Sequence, residues 1–203
     1  VDPAEFGTYV HAVLENLAKE IVDLGGFRKI STTEAVAIAK KYSDAYTAER
    51  FSQLDGDRLT YLLRRNEQEL LLIVEELWQE LQNSAFQPID FEVGFGQNEK
   101  MQPITIPGAK MDAWMRGYVA RVDAFTENGQ SYFRVVDYKT GKKDFDYCDI
   151  YNGIGLQMLI YMFALEQGGD SLLRPGAKPA GVQYFPARVP VVSADNILTD
   201  GEA

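Results

Sequence analysis

The chain has 203 residues, 46% of them hydrophobic and 25% charged, which suits one globular domain or one core with a helical addition. A single cysteine excludes an internal disulfide framework, and no apolar run approaches the roughly 18 residues that a membrane span needs, so a cytoplasmic protein without membrane contact is expected. A net charge of −10 counts against a free-standing nucleic-acid binder, whose footprint is basic; any polyanionic substrate must be gripped very locally or held by something else.

In chain order, the first half reads as helices. FGTYVHAVLENLAKEIVDLGG sets Val10, Val13, Leu14, Leu17, Ile21 and Leu24 at helical spacing, with Gly25 and Gly26 as the stop. STTEAVAIAKKYSDAYTAERF opens with the capping-box pattern Ser31-x-x-Glu34. A longer helix is predicted from Asp57 to Asn83, carrying Leu62, Leu63, Leu70, Ile73, Val74, Leu77 and Leu81.

The texture changes between Asn83 and Pro88, so 1–84 reads as mainly helical and 85–203 as a sheet-containing core within one domain. FQPIDFEVGFG and MQPITIPG read as short strands, and WMRGYVARVDAF and QSYFRVVDYKTG as longer ones joined at Asn128-Gly129, a strong hairpin signal. YNGIGLQMLIYMFALEQGG then reads as a buried helix and AGVQYFPARV as a last strand. The abrupt ends, VDPAEFG and ILTDGEA, point to a fragment of a larger subunit.

Four features could carry chemistry. His11 stands one turn before Glu15 on a helix. GYVARVD spans 117–123, where Asp123 has a same-face neighbour in Arg121 with which it can pair. Asp137 and Lys139 share one face of a strand, and a carboxylate beside an ammonium there can hold a metal and steady an anion, or form a surface ion pair. Gln157 and Tyr161 lie one helical turn apart. Each alone has an ordinary structural explanation.

Together, GTYVHAVLE, GYVARVD, VVDYKTG and LQMLIY resemble the RecB-type branch of the PD-(D/E)xK nucleases, and within it the AddB-type nuclease domains of ATP-dependent helicase–exonucleases. The resemblance runs from Gly7 onward and is weakest between Ser31 and Ser84. It implies an α/β (α+β) restriction-endonuclease-like core: a mixed sheet of about four to five strands flanked by helices, with an N-terminal helical addition. It further implies a DNA exonuclease of double-strand-break repair, acting 5′→3′ beside an AddA-like helicase–nuclease subunit.

Carried over by residue, the resemblance makes Asp137 the central metal ligand, His11 an additional one, and Lys139 the group that orients water or offsets phosphate charge. Gln157 and Tyr161 would position active-site groups, with Lys142, Lys143 and Tyr161 meeting DNA. The metal would be Mg²⁺ or Mn²⁺, since phosphodiester hydrolysis needs a hard cation held by oxygens, and Mn²⁺ suits an imidazole-containing site.

Two departures stand out. The family's Gly-x-Ile-Asp-Arg-x-Asp strand has Ala120 where its metal-binding Asp belongs. A deliberate substitution, a naturally degenerate site, or rescue by another carboxylate such as Glu15 or Glu92 would each account for it. Asp123 matches the motif's second Asp and is a further candidate metal ligand, although strand parity turns it away from position 120 unless a bulge intervenes. A nuclease-like module kept for binding or assembly is therefore the alternative reading. A stand-alone RecB-family exonuclease is disfavoured by the GKKDFDYCDIYNG segment and the truncated ends. AddB-type subunits also carry a four-cysteine iron–sulfur cluster, which Cys148 alone cannot hold; the cluster is expected outside these 203 residues.

Overall fold

The fold is described from a computed structural model covering residues 3–51, 56–106, 108–139, 141 and 145–187. Helix α1 (Pro3–Asp23) forms because its apolar positions recur at helical spacing, and Val10, Val13, Leu14, Leu17 and Ile21 are all buried. Leu24 falls beyond the helix end and is exposed, since the chain turns at Gly25 and Gly26, both at positive φ. Helix α2 (Thr32–Phe51) begins at the expected capping box: Ser31 N–H donates to Glu34 Oε2 at 2.8 Å, and Glu34 N–H donates to Ser31 Oγ at 3.3 Å. Helix α3 (Asp57–Asn83) buries Leu70, Ile73, Val74, Leu77, Trp78 and Leu81 along one stripe. Trp78 Nε1 donates to the Ile30 carbonyl at 2.8 Å, which ties α3 to the turn before α2.

The sheet follows. Strands β1 (Gln87–Phe95), β4 (Gly117–Glu127), β5 (Gln130–Lys139) and β6 (Lys178–Pro186) lie in the order β1-β4-β5-β6. The first two pairings are antiparallel and the last is parallel, so the sheet is mixed, as expected. β4 and β5 turn at Asn128 and Gly129, both at positive φ, as a two-residue hairpin requires. A parallel return needs a crossover, supplied by α4 (Tyr147–Tyr151) and α5 (Gln157–Gly168).

Two elements differ from expectation. The helix read from YNGIGL onward begins only at Gln157, because Gly153 and Gly155 take positive φ; before it stands the separate five-residue α4, N-capped by Asp146. MQPITIPG and the start of WMRGYV do not join the main sheet. They give β2 (Ile104–Ile106) and β3 (Ala113–Met115), a small antiparallel pair of their own.

The sheet sits between two apolar clusters. One joins α1, α2 and α3 to Ala120, Val136, Tyr138 and Phe185, so the N-terminal helices share a core with the sheet. The other joins Val122, Phe133 and Val135 to Met158 and Leu165 of α5. Covering on both sides explains why Val119 to Asp123 are buried without alternation. Among the described residues, no helix is long and apolar enough to cross a membrane.

Candidate active site

The C-terminal end of β5 carries Asp137 and Lys139. Strand alternation sends Tyr138 the other way, into the helical core, where it is 5% exposed. Lys139 Nζ approaches Asp137 Oδ2 to 2.5 Å, with the two side chains 33% and 14% exposed. That approach lacks hydrogen-bond alignment, and Oδ2 is a buried oxygen without a hydrogen-bond partner. Lys139 also sits over the Tyr184 ring at 5.8 Å, on the parallel neighbour β6.

His11 reaches the same end from α1. Its ring packs edge-on against Tyr138 at 5.6 Å between centroids, and its Nδ1 lies 3.2 Å from Glu92 Oε1 of β1. The Glu92 hydrogen bond raises its pKa above the ordinary 6.5 against the opposing effect of burial, and the Asp137 charge and the Tyr138 backbone add to the rise. Glu92 takes a positive φ of 45°, a backbone strain that sits beside the site.

Ala120 lies at the centre of this arrangement. Phe91 pairs with Arg121 and Val93 with Val119, so Glu92 falls opposite Ala120. Across the other neighbour, Arg121 pairs with Val136, and one step further along the register stand Ala120 and Asp137. Glu92 and Ala120 thus lie opposite each other on β1 and β4, and Asp137 stands one step beyond the last β4–β5 pair at the same end of the sheet; the Ala120 methyl packs with Val136 and Tyr138 on the helical side, from which Asp137 turns away. Among the described residues no three His, Cys, Asp or Glu side chains are gathered closely enough to hold a metal. The donor types of Asp137, Glu92 and His11 suit a hard divalent cation, although Asp137 Oδ2 is engaged by the Lys139 ammonium, and position 120 carries a methyl where the resemblance implies a further carboxylate.

Other candidates are placed elsewhere. Asp123 is fully buried, and its carboxylate is held by Arg121 at 2.7 Å and Arg134 at 2.8 Å, so it is not brought to the site as a metal ligand. Its pairing with Arg121 is the one that strand parity implied. Glu80 of α3 completes this network through Arg134 at 2.5 Å and Arg121 at 3.4 Å. Glu15 pairs with Lys19 at 2.5 Å. Gln157 Nε2 donates to Tyr161 Oη at 2.6 Å, which leaves the phenol proton free to donate onward. Tyr161 packs edge-on against Phe95 at 5.3 Å. This second pair meets the start of β4 at Gly117, where a Cβ would stand 2.9 Å from the Phe95 ring and 3.2 Å from that of Tyr161. Cys148 is an exposed free thiol. Lys142 and Lys143 lie outside the described residues.

Sequence comparison yields matches over the whole length. The profile of the PD-(D/E)XK nuclease superfamily matches residues 1–200. The B subunit of the ATP-dependent helicase/deoxyribonuclease of Clostridium novyi is 31% identical over 98% of this chain, and that of Moorella thermoacetica is 31% identical over 95%. The corresponding polypeptide of a Thermoanaerobacter species is 32% identical over 99%. The chain spans 18%, 17% and 18% of those three relatives, so it corresponds to one segment of much longer proteins.

Proposed function

The chain belongs to the PD-(D/E)XK nuclease superfamily, and on that premise we propose that it is the metal-dependent DNA-cleaving domain of an AddAB-like helicase–nuclease acting in double-strand-break repair. Phosphodiester hydrolysis would proceed on one strand, in the 5′→3′ direction implied by the resemblance, as a partner motor subunit feeds DNA to the site. The observation that supports this reading is that the Asp137–Lys139 ion pair and the His11 ring, packed edge-on against the intervening Tyr138, lie at one end of the sheet.

Each side chain has a task that its position supports. Asp137 and His11, with Glu92 behind His11, would hold the cation. Such a cation activates water and offsets charge on the phosphate. Lys139 keeps an ammonium beside Asp137, where it can donate to a phosphate oxygen as negative charge grows there. Gln157 fixes the Tyr161 hydroxyl so that its proton points away from the amide, toward a phosphate or base. The acidic balance of the chain fits a domain supplied with DNA by a partner.

The test is degradation of end-labelled single-stranded DNA by the intact complex with Mg²⁺ or Mn²⁺. Asp137→Ala is expected to abolish the 5′→3′ degradation, leaving only cleavage by the partner's own nuclease site, and Lys139→Ala to lower it about 100- to 1,000-fold. Undiminished cleavage by the Asp137 variant would remove that residue from the mechanism. Ala120 favours a second reading, a nuclease-like module kept for DNA binding or assembly. It predicts no cleavage attributable to this domain until Ala120→Asp is introduced.

A further inference from the structure

A cleft of about 660 Å³ opens at the same end of the sheet, between β1, the start of β4 and the small β2–β3 pair. Its walls include Trp114, 66% exposed, and Tyr118, 56% exposed, and Arg116 stands between them in sequence. The chain exposes other aromatics, but these two line one concavity. Phe95 and Gly117 line its inner side, and the Tyr161 ring packs edge-on behind Phe95 and beside Gly117, so the Gln157–Tyr161 pair adjoins the cleft. Ala120 lies only three residues further along β4, about 10 Å away in an extended strand.

We infer that this cleft receives an unstacked nucleobase of a single DNA strand and so sets the path of that strand into the active site. The identity of the polymer rests on the DNA-cleaving reading above. The chemistry is that of a stacking platform: flat apolar faces on Trp114 and Tyr118 for a base, and one guanidinium on Arg116 for an adjoining phosphate. Glu99, whose carboxylate accepts the Tyr118 hydroxyl, also lines the cleft. A carboxylate there repels phosphate but accepts from the exocyclic amine of a base. Duplex DNA hides its base faces within the stack, so the cleft selects a single strand.

The experiment photo-crosslinks a bromodeoxyuridine-substituted single strand to the full-length protein in EDTA, followed by peptide mapping. Wild-type protein should crosslink at Trp114 or Tyr118. Trp114→Ala should cut the yield on the peptide containing residues 113–118 by about five-fold or more, the lower bound for loss of one base stack, whereas Trp114→Phe should retain most of it. Absence of crosslinks within 113–118, an unchanged yield in Trp114→Ala, or equal yield from the matching duplex would overturn the proposal. Because the assay needs no cleavage, the two readings fail separately. Failed crosslinking with Asp137-dependent cleavage intact removes only the cleft, while crosslinking at Trp114 with cleavage indifferent to Asp137→Ala removes only the catalytic reading.

Discussion

His11 is the chain's single histidine, so its titration reads directly on the site. Its folded pKa is raised, chiefly by Glu92, above the value of 6.5 expected when unfolded. The charged ring therefore contributes stability fully below that unfolded value, and the contribution is lost as pH rises through the folded pKa. An NMR titration should give a midpoint above 6.5 that moves back toward it in Glu92→Gln. A midpoint at or below 6.5 in the parent chain would mean that His11 does not meet Glu92 in solution. A proton and a cation compete for the ring, so the same residue would make metal binding weaken as pH falls. Spacing alone put Asp137 and Lys139 on one strand face, whereas the candidate roles of His11, Asp137 and Lys139 came from the family resemblance. The contact between His11 and Glu92 was legible in neither, because 81 residues separate them and only the packing of α1 on the sheet brings them together.

At the scale of elements, β4 and β5 hold both the site and its support. Their outer halves carry a buried charged network: Arg121 is 0% exposed and meets Asp123, Glu80 and the Tyr138 hydroxyl, and Arg134 bridges Asp123 to α3. Removing one partner of a buried pair leaves the other uncompensated, so Asp123→Ala should cost about 3–5 kcal/mol in urea unfolding. A loss below about 1 kcal/mol would show that Glu80 alone satisfies both arginines. The network anchors Tyr138, which fixes the facing of Asp137 and Lys139 on either side of it. Asn128-Gly129 announced the β4–β5 hairpin, and Ser31-x-x-Glu34 announced the start of α2, because both signals are local. Helix α4 escaped notice since five residues are too few to show a period, and its sign was the capping Asp146 alone. MQPITIPG was legible as a short strand, but its pairing with Ala113–Met115 apart from the main sheet was not, because three-residue strands carry no alternation that fixes a partner.

For the whole molecule, the helical half and the sheet half close over one cluster that includes Leu14, Leu77, Val136 and Tyr138. The change in texture near Asn83 marks a change of element type within a shared core. That shared core is what presses α1 against the sheet and delivers His11 to Glu92 and Tyr138. An acid at position 120 would have an electrostatic consequence for the whole fold. A carboxylate added at the end of the sheet that already carries Glu92 and Asp137 is unfavourable without a cation and favourable with one.

Thermal unfolding of the Ala120→Asp chain, with and without Mn²⁺, therefore tests the account most directly. In EDTA the variant should melt below the parent. Saturating Mn²⁺ should raise its Tm by about 5 °C or more, and by less in the parent, the gain expected for ligand at about 100 times its dissociation constant. Adding Asp137→Ala should erase that gain. A Mn²⁺ response that survives the loss of Asp137, or no response from Ala120→Asp at all, would contradict a metal site built at this end of the sheet.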